Sequence, residues 1–177
     1  MSQEELFKNW EKPKWDEYFM ALAFMISMRS SDDSTKHGCV VTDEHHRIMT
    51  VGYNGPPAGC KDELIPRTRP EKYLFMAHAE RNAIDLSPEA NLEGSTFYVT
   101  GHPCARCFGS VLQKKAARLV YGPVNSHCVS QQDLDAIDIM LRGRENFIFE
   151  EFKGSSDSVL KNFDMAKQYF KLEAGLK

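Results

Sequence analysis

The sequence predicts an α/β layered sheet. Short β-branched and aromatic runs alternate with stretches of helical periodicity from about residue 38 onward, the signature of strands covered by helices. A chain of 177 residues is long enough to bury roughly two thirds of its unfolded surface without disulfide staples. We therefore expect residues 1–177 to form a single domain. With 22 Lys+Arg against 25 Asp+Glu, a net charge of -3 and a pI of about 6.1, no bulk basic field is present to hold nucleic acid. The longest apolar run, residues 18–27, is half of the roughly 20 residues that cross a bilayer. The first residues alternate in charge, unlike a signal peptide. A cytoplasmic protein with neither a membrane nor a nucleic-acid partner is expected.

The elements follow in order. Over residues 14–30 apolar side chains recur at Tyr18, Leu22 and Met25, with Phe19, Ala23 and Ile26 alongside, which predicts a core-facing helix. Arg29 continues the first of these rows, aimed either into a cleft or, as a helix-end arginine, toward water. "HGCVVTD" and "RIMTVGYN" flank a polar "EHH" and read as a hairpin, with His45 and His46 solvated on its turn. Residues 54–72 form a Gly/Pro-rich loop longer than the usual 4 to 6 residues, and long ordered loops tend to carry function. A helix over about 78–86 stops before Pro88. Then come strand "STFYVT", a helix opening near Cys104, strand "ARLVYG", a helix over about 131–141, strand "NFIFEEF" and a charged C-terminal helix.

Five cysteines without a secretory signal favour metal or catalytic thiolates over disulfides. Cys104 and Cys107 stand three apart, so at a helix start both sulfurs lie on one face and can share an ion. The helix N-terminus favours thiolate over thiol, and Pro103 fits just ahead of such a start. Two thiolates leave a tetrahedral zinc short of ligands, and His78 is the best placed third donor. Glu80, about 200° round a regular helix from His78, is better employed beside the metal, on a bound water. A core histidine and a dipole-favoured glutamate are the bland alternative. Beside "PCARC" that alternative loses its weight, because His78-x-Glu80 followed by Pro103-Cys104-x-x-Cys107 is the zinc nucleobase deaminase signature.

Several pieces, in order over residues 15–141, carry a wider resemblance: "MRSSD", "HGCVV", "GYNGPPAGCKDE", "HAERNAI" and "TFYVTGHPCARC". The chain resembles the cytidine/deoxycytidylate deaminase family, and within it the deoxycytidylate (dCMP) deaminases, through "GYNGPPAG" and the Arg29-Ser30 pair. The resemblance implies a three-layer cytidine-deaminase-like fold with a central five-stranded mixed sheet and helices on both faces. Its core spans residues 14–141, and 142–177 supply the last strand and C-terminal helix. It implies one zinc held by His78, Cys104 and Cys107, with a water in the fourth position and Glu80 moving protons during conversion of dCMP to dUMP and ammonia. It places Asn54 on the nucleotide sugar, Arg29 on the phosphate (with Arg67 or Arg69 as alternatives), and Cys39, through its backbone, and Ala79 beside the base. Relatives that are regulated imply an effector site at Gly55, Gly59 and Asp62, with dCTP activating and dTTP with magnesium inhibiting. Homo-oligomers, often hexamers, are implied too.

The sequence also departs from the family pattern. A tyrosine common beyond the second cysteine is missing, and Asn125, Ser126 or His127 are candidates to replace it. Cys39, Cys60 and the loop offer no ligand set for a second zinc, whereas His102 stands where it could close the first zinc's shell. Rival functions are deamination of another cytosine nucleotide such as dCTP, tRNA adenosine deamination, and a non-catalytic zinc or nucleotide-binding module with that closed shell.

Overall fold

The computed structural model describes residues 5, 7–8, 11–88, 91–124 and 129–174. Asn125, Ser126 and His127 lie outside the described residues. The described chain runs α1 (Trp15–Ser27), β1 (Gly38–Thr42), β2 (Ile48–Tyr53), α2 (Ala79–Asp85), β3 (Thr96–Gly101), α3 (Ala105–Gln113), β4 (Arg118–Val124), α4 (Gln131–Arg142), β5 (Ile148–Glu151) and α5 (Ser156–Glu173). The strands form one sheet in the order β2-β1-β3-β4-β5. β1 is antiparallel to both β2 and β3, while β3, β4 and β5 run parallel. This is the mixed five-stranded sheet expected.

The period of two along each central strand explains the three layers. Cys39, Val41, Phe97, Val99 and Leu119 point to one face, where they pack with Ala79 and Ala83 of α2, Phe108 and Val111 of α3 and Ile137 of α4. Val40, Tyr98 and Val120, one residue out of phase, point to the other and meet Phe19, Met20 and Ala23 of α1 and Val159 of α5. Both faces are apolar, so neither can be left to water. Among the described residues no helix is long and apolar enough to cross a membrane.

α1 forms where expected and buries Phe19 and Ala23 of the expected stripe, with Leu22 and Ile26 packed beside them, but Tyr18 and Met25 turn away from the core. Tyr18 and Met25 are 40% and 53% exposed, whereas Phe19, Met20, Ala23 and Ser27 are buried. The helix is apolar almost all round, so spacing does not select a face; steric fit does. A β-carbon on Gly38 would stand 1.9 Å from the Ala23 carbonyl oxygen, so the α1 backbone rests directly on β1 at its smallest residue. Arg29 lies past the C-cap Met28 and is exposed, as a helix-end arginine would be. On the hairpin turn, His46 is exposed, as expected, yet its ring stacks on Trp15 at 4.4 Å.

A second close approach seats α2. A β-carbon on Gly52 would lie 2.2 Å from the Ala79 carbonyl oxygen and 2.4 Å from the Ala83 amide nitrogen. Thr50 Oγ1 donates to the Ala83 carbonyl, and Asn82 Nδ2 donates to the Tyr53 carbonyl. The helix that follows His78 is thereby locked to β2. Gly52→Ala should destabilise the fold by about 3 kcal/mol, the upper range for overpacking against rigid backbone, as read from the urea midpoint.

On the far side, Arg118 of β4 ties three elements together. Its guanidinium donates to both oxygens of Asp16 at 2.7 and 2.6 Å and to Glu150 Oε1 at 2.9 and 2.8 Å. Tyr98 Oη donates to Asp16 at 2.9 Å, which satisfies a phenol whose ring is in the core. The Arg118 hydrogen bond, against the effect of burial, holds the Asp16 carboxyl below its ordinary range. A depressed folded-state value contributes stability above the unfolded pKa of about 3.9, and that contribution is lost as pH falls through the folded value. Arg118→Leu should therefore destabilise the protein by about 1 kcal/mol near pH 7, a value discounted for partial exposure. The gap to the unaltered protein should close below about pH 4 in acid-titrated thermal melts.

Candidate metal centre and its cavity

Two helices begin at the same end of the sheet, and each places a predicted ligand at its cap. His78 is the N-cap of α2 with φ -75 and ψ 160, and Cys104 is the N-cap of α3 with φ -75 and ψ 162. Cys107 follows in the first turn of α3. Asp133 of α4 accepts a hydrogen bond from the Ala105 amide at 2.9 Å, anchoring the start of that turn. The Ser130 hydroxyl, together with this amide, holds the Asp133 carboxyl below its ordinary range.

His78 Nδ1 lies 3.6 Å from Cys104 Sγ and 3.5 Å from Cys107 Sγ. All three donor atoms fall within 4.8 Å of one another, and among the described residues no other such group of histidine, cysteine or acidic side chains occurs. A tetrahedral zinc with Zn–S of about 2.3 Å and Zn–N of about 2.0–2.1 Å has an N···S edge of about 3.6 Å. The donors present thus fit zinc in both chemistry and spacing. Three protein donors with a fourth corner left over is the pattern of a catalytic site.

The trio shares its protons unevenly, and zinc would displace those on Cys107 and His78 as it binds. A hydrogen bond from Cys107, with His78 alongside, pulls the Cys104 thiol down to about 4 despite burial. The same contact and burial push Cys107 up. His78 is raised to about 9, chiefly by its contact with Cys104. Glu80 is 4% exposed, and burial pushes its carboxyl up against the pull of His78.

Glu80, His78 and Cys104 line one cavity of about 230 Å³. Asn54 and Arg69 of the expected set line it as well, together with Asp32, His37 and Lys72. His102 borders it too, but is not part of the donor cluster. Its Nδ1 lies 2.9 Å from the Pro103 carbonyl oxygen, and its ring packs on Tyr121 and Phe149 at 4.6 and 5.4 Å. The closed-shell arrangement through His102 is therefore not formed.

The family model for the cytidine and deoxycytidylate deaminase zinc-binding region matches residues 13–123. The chain belongs to this family. It is 31% identical over 157 residues to a mouse protein named deoxycytidylate deaminase, a match covering 85% of this chain and 86% of that one. A human protein of the same name is 32% identical over 127 residues, 68% and 71% of the two chains. A solved structure of dCMP deaminase from the cyanophage S-TIM5, in complex with dCMP and dUMP, superposes with a TM-score of 0.59 at 26% identity, covering 81% of this chain and all of that one.

The remaining deaminase residues expected from the sequence are distributed as follows. Cys39 and Ala79 are wholly buried in the core, and Arg29 is exposed; the cavity lining includes none of the three. Gly55 pairs with Ala77, Gly55 N donating to the Ala77 carbonyl at 3.1 Å and Ala77 N to the Gly55 carbonyl at 2.8 Å, so the long loop is closed at its base. Gly59, at φ 86, and Asp62, which opens a short 3-10 turn, are exposed on that loop. Sequence reasoning missed Asp32, His37, Lys72 and Asp133. Burial and the nearby His78 hold His37 down to about 4, so its imidazole is neutral at physiological pH. Cys104→Ala and Cys107→Ala should each lower zinc from about one ion per chain to below about a tenth, since a three-donor site rarely survives loss of one. Elemental analysis of the purified variants is the check.

Proposed function

We propose that this chain catalyses the zinc-dependent hydrolytic deamination of dCMP to dUMP and ammonia. The observation that carries the reading is the zinc-fitting trio of His78, Cys104 and Cys107, of which His78 and Cys104 line one cavity with the buried acid Glu80, in a chain whose relatives are deoxycytidylate deaminases. Bound zinc supplies a Lewis acid that brings the pKa of a coordinated water toward neutrality.

His78, Cys104 and Cys107 would hold the ion. Glu80 takes a proton from the water on a carboxylate oxygen and delivers it to ring nitrogen 3 of cytosine, which makes carbon 4 electrophilic. Once the water oxygen has added there as a hydroxyl, Glu80 takes that hydroxyl's remaining proton and passes it to the exocyclic amine; the bond from carbon 4 to the amine breaks, ammonia leaves and the oxygen stays as the carbonyl of uracil. Burial raises Glu80, which helps it hold the proton between these steps, while a nearby cation works the other way. Asn54 meets the sugar, and Arg69 at the cavity wall is better placed than Arg29 to meet the phosphate.

Assembly into a homo-oligomer belongs to the same proposal. It is supported by the exposed Leu64, Tyr73, Leu74 and Phe75 on the loop that leads to His78, a run of apolar side chains of the kind that marks interaction surfaces. An effector nucleotide with Mg2+ would use the loop bearing Gly59 and Asp62; the resemblance alone supports it.

A panel of dCMP, dCTP, CMP and deoxycytidine, followed by loss of cytosine absorbance, tests the substrate, and dCMP should be converted with the highest kcat/KM. Glu80→Gln should retain zinc and lose about a thousandfold in kcat, within the range for removal of a general acid/base. Full turnover in that variant would remove the role given to Glu80.

A further inference from the structure

Asp32 and Lys72 are 4% and 3% exposed, yet both line the cavity. The deamination chemistry uses neither. Lys72 Nζ donates to both carboxylate oxygens of Asp32 at 2.7 Å. The amides of Ser34 and Thr35 donate to Asp32 Oδ1 at 2.7 and 3.1 Å, and Asn54 Nδ2 donates to Oδ2 at 3.2 Å. A buried carboxylate so completely partnered costs little to keep charged. Burial works to raise it, but Lys72 and the two amides outweigh burial and hold it below its ordinary range.

What the pair fixes is the orientation of Asn54. An ionised carboxylate only accepts, so the nitrogen of the Asn54 amide must face Asp32. Its second proton goes to the Thr35 carbonyl at 2.9 Å. On the other side the His37 backbone N–H donates to Asn54 Oδ1 at 2.7 Å, so the oxygen must face that way. Both donors of the amide are consumed, and Oδ1 keeps one lone pair. Toward a ligand, Asn54 is left as an acceptor only. It can pair with a hydroxyl, and it repels a phosphate or carbonyl oxygen.

We infer that Asp32 and Lys72 are positioning residues that hold Asn54 as a hydrogen-bond acceptor for a sugar hydroxyl of the nucleotide. The inference rests on the deaminase reading and names what reads the sugar. dCMP carries one free sugar hydroxyl, at the 3′ position, so the group read is that one. Lys72 adds a second role, joining the loop before β1 to the loop before α2, the two cavity walls that meet at Asn54.

The test compares dCMP with 2′,3′-dideoxycytidine monophosphate, which lacks only that hydroxyl. The unaltered protein should prefer dCMP by at least about tenfold in kcat/KM, as loss of one partnered hydroxyl predicts. In Asp32→Asn, and in Asp32→Asn/Lys72→Met, which leaves no unpaired buried charge, KM for dCMP should rise while kcat stays within about threefold, and the preference should fall toward one. Equal use of both nucleotides by the unaltered protein overturns the inference, whatever the variants do. So does an equal loss on both nucleotides in the variants, the mark of a merely structural role. Turnover of neither nucleotide by the unaltered protein would instead overturn the deaminase reading.

Discussion

Two helix N-termini must meet over one end of a sheet for a histidine and two cysteines to share an ion, and the architecture is arranged around that meeting. α2 and α3 are brought together by strands that alternate their burial, so that both lie on the same face. The Gly52 close approach sets the height of α2, and the Asp133 carboxylate anchors the first turn of α3. The N–H groups at each helix start add a partial positive field where thiolate charge is needed. Stability on this face and ligand geometry are thus the same set of contacts. The Arg118 network, on the opposite face, is free to serve stability alone.

Polar contacts organise the cavity in a second way. His78 and Cys104 of the zinc-fitting trio stand on one wall, and the Asp32–Lys72–Asn54 group stands on another. On the proposed reading, one wall would do chemistry on the base and the other would sort what is attached to it. A small cavity with few convergent polar groups obtains selectivity from where each donor and acceptor is aimed. Here the aim of Asn54 is decided by neighbours rather than by its own rotamer preferences.

Much of this was legible in the chain. The strands show themselves through β-branched runs, and His78, Glu80, Cys104 and Cys107 through spacing at predicted helix starts, because these are local patterns. The core face of α1 is legible only in part: Phe19, Leu22, Ala23 and Ile26 do face inward, but Tyr18 and Met25 are equally apolar, and the contact with Gly38 is what turns them out. Asp32 and Lys72 were invisible for a different reason. Forty residues separate them, each sits in a loop of ordinary composition, and a charge pair between loops leaves no periodic trace. His37 and Asp133 likewise declare themselves only through neighbours far away in sequence.

The bridge between Gly55 and Ala77 has a further consequence for how such a protein can vary. It gives the intervening segment a narrow neck, so the segment behaves as an excursion hung from two fixed points. Lengthening an excursion of this kind costs only about 0.6 kcal/mol for each doubling of its length. Insertions and deletions can accumulate there while the neck keeps its neighbours, Asn54 and His78, in register. Diversity in this lineage would therefore gather in one place, on the rim, without disturbing the floor beneath it.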